Sequence, residues 1–215
     1  MVYQRILFVE QFIIYLLPNS IGLMIIVIEG FDQAGKKTQS KLLSDFLKTK
    51  NKKSVVFSFP DYTTPVGKEI KNFLGGKRKF PPQVIHCLLA ANRWERSQEI
   101  KDALAKNYVV IMNRYYQSNL VYGTVNGLDL KWLENLDRGL PKENMVILLD
   151  VKVSDSFSRK KQKRDRFEKD KTFALKIANT YRKLAKKYHW NIVNASQEKS
   201  QVHQQVRDIV SRHIR

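Results

Sequence analysis

One stretch constrains this chain more than any other: Met24 to Gln39, reading MIIVIEGFDQAGKKTQ. Ile25 to Ile28 form an unbroken apolar run. Polar alternation is absent, so the run predicts a strand covered on both faces, as in a parallel sheet. Glu29 and Gly30 are expected to end it. Gly30, Gly35 and Lys36 then stand at G-x-x-x-x-G-K spacing, and Leu42, Leu43, Phe46 and Leu47 follow at helical spacing. Strand, glycine loop, lysine and helix, in that order, predict a loop that cradles phosphate groups.

The residue types suit that task. A polyphosphate needs several donors at close range, which the N–H groups at a helix N-terminus supply together with the positive end of the helix dipole. Glycine at positions 30 and 35 lets the backbone approach the anion. Lys36 adds a mobile charge for the outer phosphates. One position departs from the usual pattern. The residue after the lysine is commonly a magnesium-binding Ser or Thr; here it is Lys37, and the hydroxyl comes one place later, at Thr38.

Length and composition narrow the class. At 215 residues the chain suffices for one α/β domain with a full core. Its formal charge of +19 suggests an anionic partner: nucleotides, nucleic acid or an anionic membrane surface. Nucleic-acid binding favours a basic stripe with interleaved aromatics. Here lysine is instead spread over most of the predicted helices, with one dense run from Arg159 to Lys171, so most of this charge reads as a solvated surface. Cys87 is the only cysteine, which excludes disulfides within the chain and cysteine zinc sites and fits a reducing compartment such as the cytoplasm. It lies in an apolar helical stretch and is expected to be buried. The four histidines form no ligand cluster.

Residues 1–23 read as an N-terminal extension. Glu10 and Gln11 split their apolar residues, so no run reaches the length of a membrane span. Met24 stands directly before the first strand and residues 24–215 read as a single domain. Further strands are expected at Ser54 to Phe59, Tyr108 to Met112, Met145 to Leu149 and Trp190 to Val193. Helices are expected from Pro65 to Gly75, then as one long element from Pro82 through Ile100 and Leu104, then around Leu120 to Tyr122 and Leu130 to Leu136. Two more are expected, from Thr172 to Tyr188 and from Gln201 to Ile214. Five buried strands alternating with helices predict a doubly wound five-stranded parallel sheet with helices on both faces. In such sheets ligands bind at the carboxyl ends of the strands, which here carry Asp32, Asp61, Asn113, Arg114, Tyr115 and Asp150. Arg93 and Asn92 lie on a helix placed to face the same cleft. Arg159 to Glu168 holds several cations and reads as a short basic lid, about 159–171, that closes on polyphosphate.

At this point the chain resembles the thymidylate kinases, from Ile25 nearly to its end. The residues that carry the resemblance are E-G-F-D-Q-A-G-K at Glu29 to Lys36, F-P-D at Phe59 to Asp61 and A-N-R-W-E at Ala91 to Glu95. To these add N-R-Y-x-x-S at Asn113 to Ser118, G-L-P-K at Gly139 to Lys142 and R-F-E at Arg166 to Glu168. The resemblance implies a P-loop NTPase type of fold and ATP-dependent conversion of dTMP to dTDP for dTTP biosynthesis. ATP would bind along Gly30, Phe31, Asp32, Gln33, Ala34, Gly35, Lys36, Lys37 and Thr38, as MgATP, with Thr38 and Asn113 as candidate metal-side groups. Lys36, Arg114 and the lid residues Arg159, Arg164 and Arg166 would stabilise the transferring phosphoryl group. On the acceptor, Asp32 would bond the sugar 3′-hydroxyl, Arg93 would read the base edge and Tyr115 and Tyr122 would pack on the deoxyribose. Phe59 completes that substrate set, and Ser118 and Asn119 stand where the family contacts the base. Family members are commonly homodimers, and no nucleic-acid or membrane partner is implied. The chain departs from the family pattern in carrying Tyr62 where arginine is frequent, Leu89 for a base-stacking aromatic, Gln33 for a loop arginine of one subgroup, and Asn113 in place of aspartate. Those departures leave two other readings: a deoxynucleoside monophosphate kinase with relaxed base choice, taking dUMP, and a weakened nucleotide-binding protein.

Overall fold

The structure is a computed structural model that describes residues 23–159 and 171–214. Strands β1 (Met24–Gly30), β2 (Ser54–Ser58), β3 (Val109–Asn113), β4 (Met145–Asp150) and β5 (Asn191–Asn194) alternate with helices. In chain order these are α1 (Lys36–Thr49), α2 (Pro65–Leu74), α3 (Pro82–Glu95), α4 (Ser97–Ala105) and α5 (Tyr116–Val125). After them come α6 (Leu130–Leu136), α7 (Val153–Arg159), α8 (Lys171–Lys187) and α9 (Lys199–Ser211). The sheet has the order β2-β3-β1-β4-β5, and every pairing is parallel. This is the doubly wound architecture that the alternating pattern predicts. Its central strand pairs Ile26 with Ile111 on one side and Met145 on the other.

Burial explains the order. Ile25 to Ile28, Val110 to Met112 and Ile147 to Leu149 are all nearly inaccessible and meet Leu43 and Leu47 of α1, Ile177 and Leu184 of α8, and Val206 and Val210 of α9. A smaller cluster of Ile70, Phe73 and Ile85 joins α2 to α3. Local chemistry sets several helix starts. Thr64 accepts from the Gly67 N–H with Pro65 in the first turn, Asp129 caps α6 through the Trp132 N–H, and Glu198 and Gln201 form a capping box on α9.

Strand β1 ends on Glu29 and Gly30 as the sequence predicts, with Glu29 fully buried. Three expectations need correction. The outer strands β2 and β5 are only partly covered, with Val56 40% and Ile192 52% exposed, because each has a sheet neighbour on one side alone. The long helix after Pro82 is two helices broken at Arg96, whose N–H turns back to the Arg93 carbonyl. The side chain of Arg96 there donates to Asp61 and Glu99 and lies over the Phe57 ring, a tertiary pull that periodicity does not register. Finally, Cys87 is exposed. The inward face of α3 is taken by His86, Asn92 and Arg93 beside Ile85 and Ala90, which leaves Val84 and Cys87 outside. The N-terminal extension and most of the lid, with Arg164 and Arg166, lie outside the described residues, and of Arg159 only the backbone is described. Among the described residues no helix is long and apolar enough to cross a membrane.

Candidate active site

The loop after β1 forms one wall of a cleft of about 600 Å³, whose far side is Ala195, Lys199 and Val202, beyond β5. Gly30 adopts φ 147°, and a Cβ there would lie 2.5 Å from the Leu149 carbonyl oxygen, so only glycine passes between β1 and β4. Helix α1 starts at Lys36 with no side-chain cap. Its first-turn N–H groups are therefore available to an anion. Lys36 Nζ folds back onto the loop, donating to the Gly30 carbonyl at 3.0 Å and the Phe31 carbonyl at 2.8 Å, with Asp32 Oδ1 3.8 Å away. Gln33, at φ 61°, and Ala34 and Gly35 complete the turn. Lys37 and Thr38 are exposed along the cleft wall. Ser156 of α7 fixes the loop from below by donating to the Asp32 carbonyl at 2.6 Å.

Behind this cleft sits a buried carboxylate. Glu29 accepts from the Tyr115 and Ser118 N–H groups at 3.0 and 3.2 Å, from Ser118 Oγ at 2.9 and 2.8 Å, and from the Tyr181 hydroxyl at 2.9 Å. It thereby holds the turn after β3, where Arg114 is driven to φ 66°. A left-handed conformation at a non-glycine residue costs about 1–3 kcal/mol and here aims the guanidinium back across the sheet. Arg114 pairs with Asp32 Oδ1 through Nη2, while Nη1 reaches Tyr181 at 3.1 Å, Ser118 Oγ at 3.2 Å and Glu29 at 4.0 Å. Burial alone would lower its proton affinity. The Asp32 carboxylate foremost, with Tyr181, Tyr122 and Glu29, overrides that and raises it well above the ordinary arginine value, so the charge is permanent. Burial first, then Glu29, keeps the Tyr181 hydroxyl protonated.

Asp32, Phe59 and Arg114 line a second, inner pocket of about 130 Å³ as well as the cleft. Arg93, Tyr115, Ser118, Asn119 and Tyr122 line it too, with Leu89 and Tyr62 at the same chamber. Arg93 is buried and donates through Nε and Nη2, both at 2.7 Å, to the two oxygens of Asp137, which leaves Nη1 as the nitrogen not engaged by that carboxylate. The Tyr115 ring is fully buried and its hydroxyl donates to the Pro141 carbonyl at 3.1 Å. Tyr122 OH lies 3.4 Å from Asp32 Oδ2. Ser118 Oγ serves Glu29, and Asn119 is bonded to His86.

Asn92 does not line either chamber. Its side chain accepts from the Asp61 N–H at 2.7 Å and donates to the Asp61 carbonyl, Thr64 and Glu95, which clamps the loop after β2. Asp61 joins that clamp through Arg96, and Asp150 pairs with Arg182, so neither carboxylate lines a chamber. Sequence reasoning missed Glu29, Tyr181 and Ser156 as site-building residues. For Glu29 a signal existed: a lone carboxylate inside a run buried on both faces needs partners. Tyr181 and Ser156 lie on helices that carry no motif, and nothing local marks them.

The metal-side groups pass a chemical test. Thr38 offers an exposed hydroxyl, and Asn113 donates through Nδ2 to Ser58 Oγ at 3.2 Å, which leaves its carbonyl oxygen for the cleft it lines. Among the described residues no group of three His, Cys, Asp or Glu side chains could hold a metal. Neutral oxygens of this kind suit Mg²⁺, which keeps waters and takes its anionic ligands from phosphates.

The thymidylate kinase family model matches residues 28–206. A thymidylate kinase of Schizosaccharomyces pombe is 36% identical over 192 residues, spanning 87% of this chain and 91% of that protein. A probable thymidylate kinase of Thermococcus kodakarensis is 37% identical over 195 residues, spanning 85% and 95%. Among solved structures, the thymidylate kinase of Candida albicans superposes with a TM-score of 0.81 at 30% identity, over 91% of this chain and 94% of that one. That structure reveals the origin of broad substrate specificity in the Candida albicans enzyme.

Proposed function

The chain belongs to the thymidylate kinase family, and from that membership we propose that it transfers the γ-phosphoryl group of ATP to the 5′-phosphate of dTMP, giving dTDP and ADP. The observation that carries this reading is the shared wall. A phosphate loop cleft and an inner pocket meet at Asp32, Phe59 and Arg114, where a donor phosphate and an acceptor phosphate would face each other. An oxygen of the dTMP phosphate attacks the γ-phosphorus in line. The bond to the β–γ bridging oxygen breaks, and ADP leaves with the electron pair.

Such transfer needs positioning and charge more than covalent chemistry. Lys36 leaves the Gly30 and Phe31 carbonyls for the β- and γ-phosphates. Arg114, preset by Asp32 and Glu29, spans the two phosphates. Phe59 and Tyr115 wall the acceptor site, Asp32 takes the 3′-hydroxyl, and Tyr122 stands against a 2′-hydroxyl. Arg93, oriented by Asp137, presents Nη1 to the base. Magnesium, bound as MgATP, would neutralise phosphate charge, with the Thr38 hydroxyl and the Asn113 carbonyl as the protein oxygens that would hold it, directly or through water. The lid arginines Arg159, Arg164 and Arg166 belong to this reading by resemblance alone. So does a cytoplasmic homodimer joined through helices facing away from the cleft; Val84, Cys87 and Trp94 are exposed on the α3 face opposite the pocket.

A coupled assay of ADP release tests the proposal. Turnover should depend on dTMP; equal ATP consumption without dTMP would leave only a nucleotide hydrolase.

Base choice should be soft. Leu89 lines the inner pocket where an aromatic ring would stack on the base. One methyl is worth about 1–3 kcal/mol in an apolar pocket, so dUMP should be used within about ten- to hundredfold of dTMP in kcat/KM. A ratio beyond a thousandfold would contradict this. Leu89→Phe should widen the gap, since stacking adds about 0.5–1.5 kcal/mol.

Metal use should be weak for such a site. Lys37 places a cation at the cleft, and Asn113 lacks the charge of a carboxylate. Each of these two charges, in a solvent-facing position, is worth about 1 kcal/mol or less. The Mg²⁺ concentration for half-activation at fixed ATP should therefore fall by about two- to thirtyfold in a Lys37→Thr, Asn113→Asp variant. An equal or higher requirement in that variant would count against the assignment.

A further inference from the structure

His86 is fully buried, carries no motif and is not used in the transfer described above. Its ring lies between two side-chain amides, Asn119 of α5 and Asn126, which caps the end of that helix. Asn126 Nδ2 is 3.1 Å from Nε2, and Asn119 Oδ1 is 2.5 Å from Nδ1. An amide nitrogen only donates. Nε2 must therefore accept, the proton of a neutral ring must sit on Nδ1, and Nδ1–H must donate to Asn119 Oδ1. Burial first, and the charge of Arg93, lower the proton affinity of His86, against the opposing pull of Asn119, so the neutral ring is the relevant form. The main chain repeats the constraint: Asn119 Nδ2 donates to the His86 carbonyl at 3.2 Å. Both ends of the Asn119 amide are thus tied to one residue, in an orientation that a flip would break twice.

Asn119 lines the inner pocket. With one lone pair of Oδ1 and one hydrogen of Nδ2 committed to His86, the amide retains one acceptor site and one donor site in a fixed order. That order matters for pyrimidines. A 4-keto pyrimidine presents N3–H beside a carbonyl, whereas a 4-amino pyrimidine presents a bare N3 beside an NH₂. A freely rotating amide matches either edge by turning over; a locked one matches one of them, and beside the donor-only guanidinium of Arg93 in the same pocket, which suits a 4-keto oxygen, that edge is the 4-keto one.

We infer that His86, held in a single tautomer by Asn126, locks the amide of Asn119 and so acts as a positioning residue that sets selection of 4-keto over 4-amino pyrimidine monophosphates. This rests on the reading of the inner pocket as the acceptor site. Arg93, itself donor-only, contributes to the same selection and is not removed by changes at His86. The amide order reads the keto or amino group and not the 5-methyl, so the dTMP to dUMP ratio should not follow it.

The experiment compares the purified full chain with His86→Leu and, as a milder change that spares the ring, Asn126→Ala. For each, kcat/KM is measured with dTMP, dUMP and dCMP. The dTMP to dCMP ratio should fall by about tenfold or more in His86→Leu and less in Asn126→Ala, because a polar mismatch in a buried site discriminates only while its groups are held. The dTMP to dUMP ratio should stay within about twofold, well inside the effect of a methyl group. Histidine ¹⁵N NMR of the ligand-free unmodified chain gives a readout free of turnover: His86 should show Nδ1 protonated and Nε2 bare. A proton on Nε2, or a dTMP to dCMP ratio unmoved in both variants, overturns the inference. A parallel collapse against all three acceptors would mean a purely structural role and overturns it too. Absence of dTMP turnover in the unmodified chain would instead defeat the acceptor-site reading, while the NMR result would still stand or fall alone.

Discussion

Lys36→Ala should lower phosphoryl transfer by about a hundred- to a thousandfold or more, the usual loss when a preorganised charge is removed from a site where negative charge develops. The fold should survive. In the free protein Lys36 makes two hydrogen bonds to loop carbonyls and a longer ion pair with Asp32. Bonds of that kind contribute about 0.5–1.5 kcal/mol each, or up to about 3 kcal/mol for a charged donor. Alanine keeps the helical conformation of the first residue of α1. The decisive comparison is kcat against thermal midpoint in one preparation: a large fall in the first with a change of a few degrees in the second. Near-normal turnover would remove the loop lysine from the mechanism.

Glu29→Gln should have the largest effect on stability. The carboxylate is fully buried and receives two main-chain N–H groups and two hydroxyls, with Arg114 at 4.0 Å. An amide of nearly the same shape keeps one acceptor oxygen and turns an NH₂ toward donors that have nowhere else to go. Breaking a buried charged network from one side costs about 3–5 kcal/mol, which for a chain of this size is roughly 6–20 °C in Tm. Transfer should fall as well, because the turn that holds Arg114 at φ 66° is fastened by Glu29. A thermal midpoint within two degrees of the unmodified protein, with normal activity, would show that the network is not what holds the turn.

These two residues also show how far the sequence could be read. Lys36 was legible because the phosphate loop is local: a strand, a turn and a helix start within a dozen residues, and the physics of anion binding dictates their chemistry. The parallel sheet was legible for the same reason, since Ile25 to Ile28, Val109 to Met112 and Met145 to Leu149 are short apolar runs between helices. Glu29 reads in the sequence only as a strand end, not as a buried anchor. Its partners Tyr115, Ser118 and Tyr181 are 86, 89 and 152 residues away. Helix α3 misled for a related reason. Periodicity assumes that apolar side chains face inward, but this helix turns His86 and Arg93 toward a pocket that needs polar groups, and Cys87 is pushed out. The break at Arg96 was hidden because no Gly or Pro marks it; it follows from ion pairs with Asp61 and Glu99. Asn119 lines the inner pocket, but its bond to a histidine 33 residues earlier is not readable from spacing.

The proposed transfer runs across the wall between the cleft, assigned to ATP, and the inner pocket, assigned to thymidine monophosphate. The most direct measurement is a panel of acceptors, dTMP, dUMP, dCMP, dAMP and dGMP, each incubated with the full chain at fixed ATP and Mg²⁺, with products read by ³¹P NMR. A diphosphate β-phosphorus signal should appear from dTMP first and dUMP next, matched mole for mole by ADP, with dCMP and the purine nucleotides far behind. A purine monophosphate taken as readily as dTMP, or ADP released without any acceptor diphosphate, would contradict it.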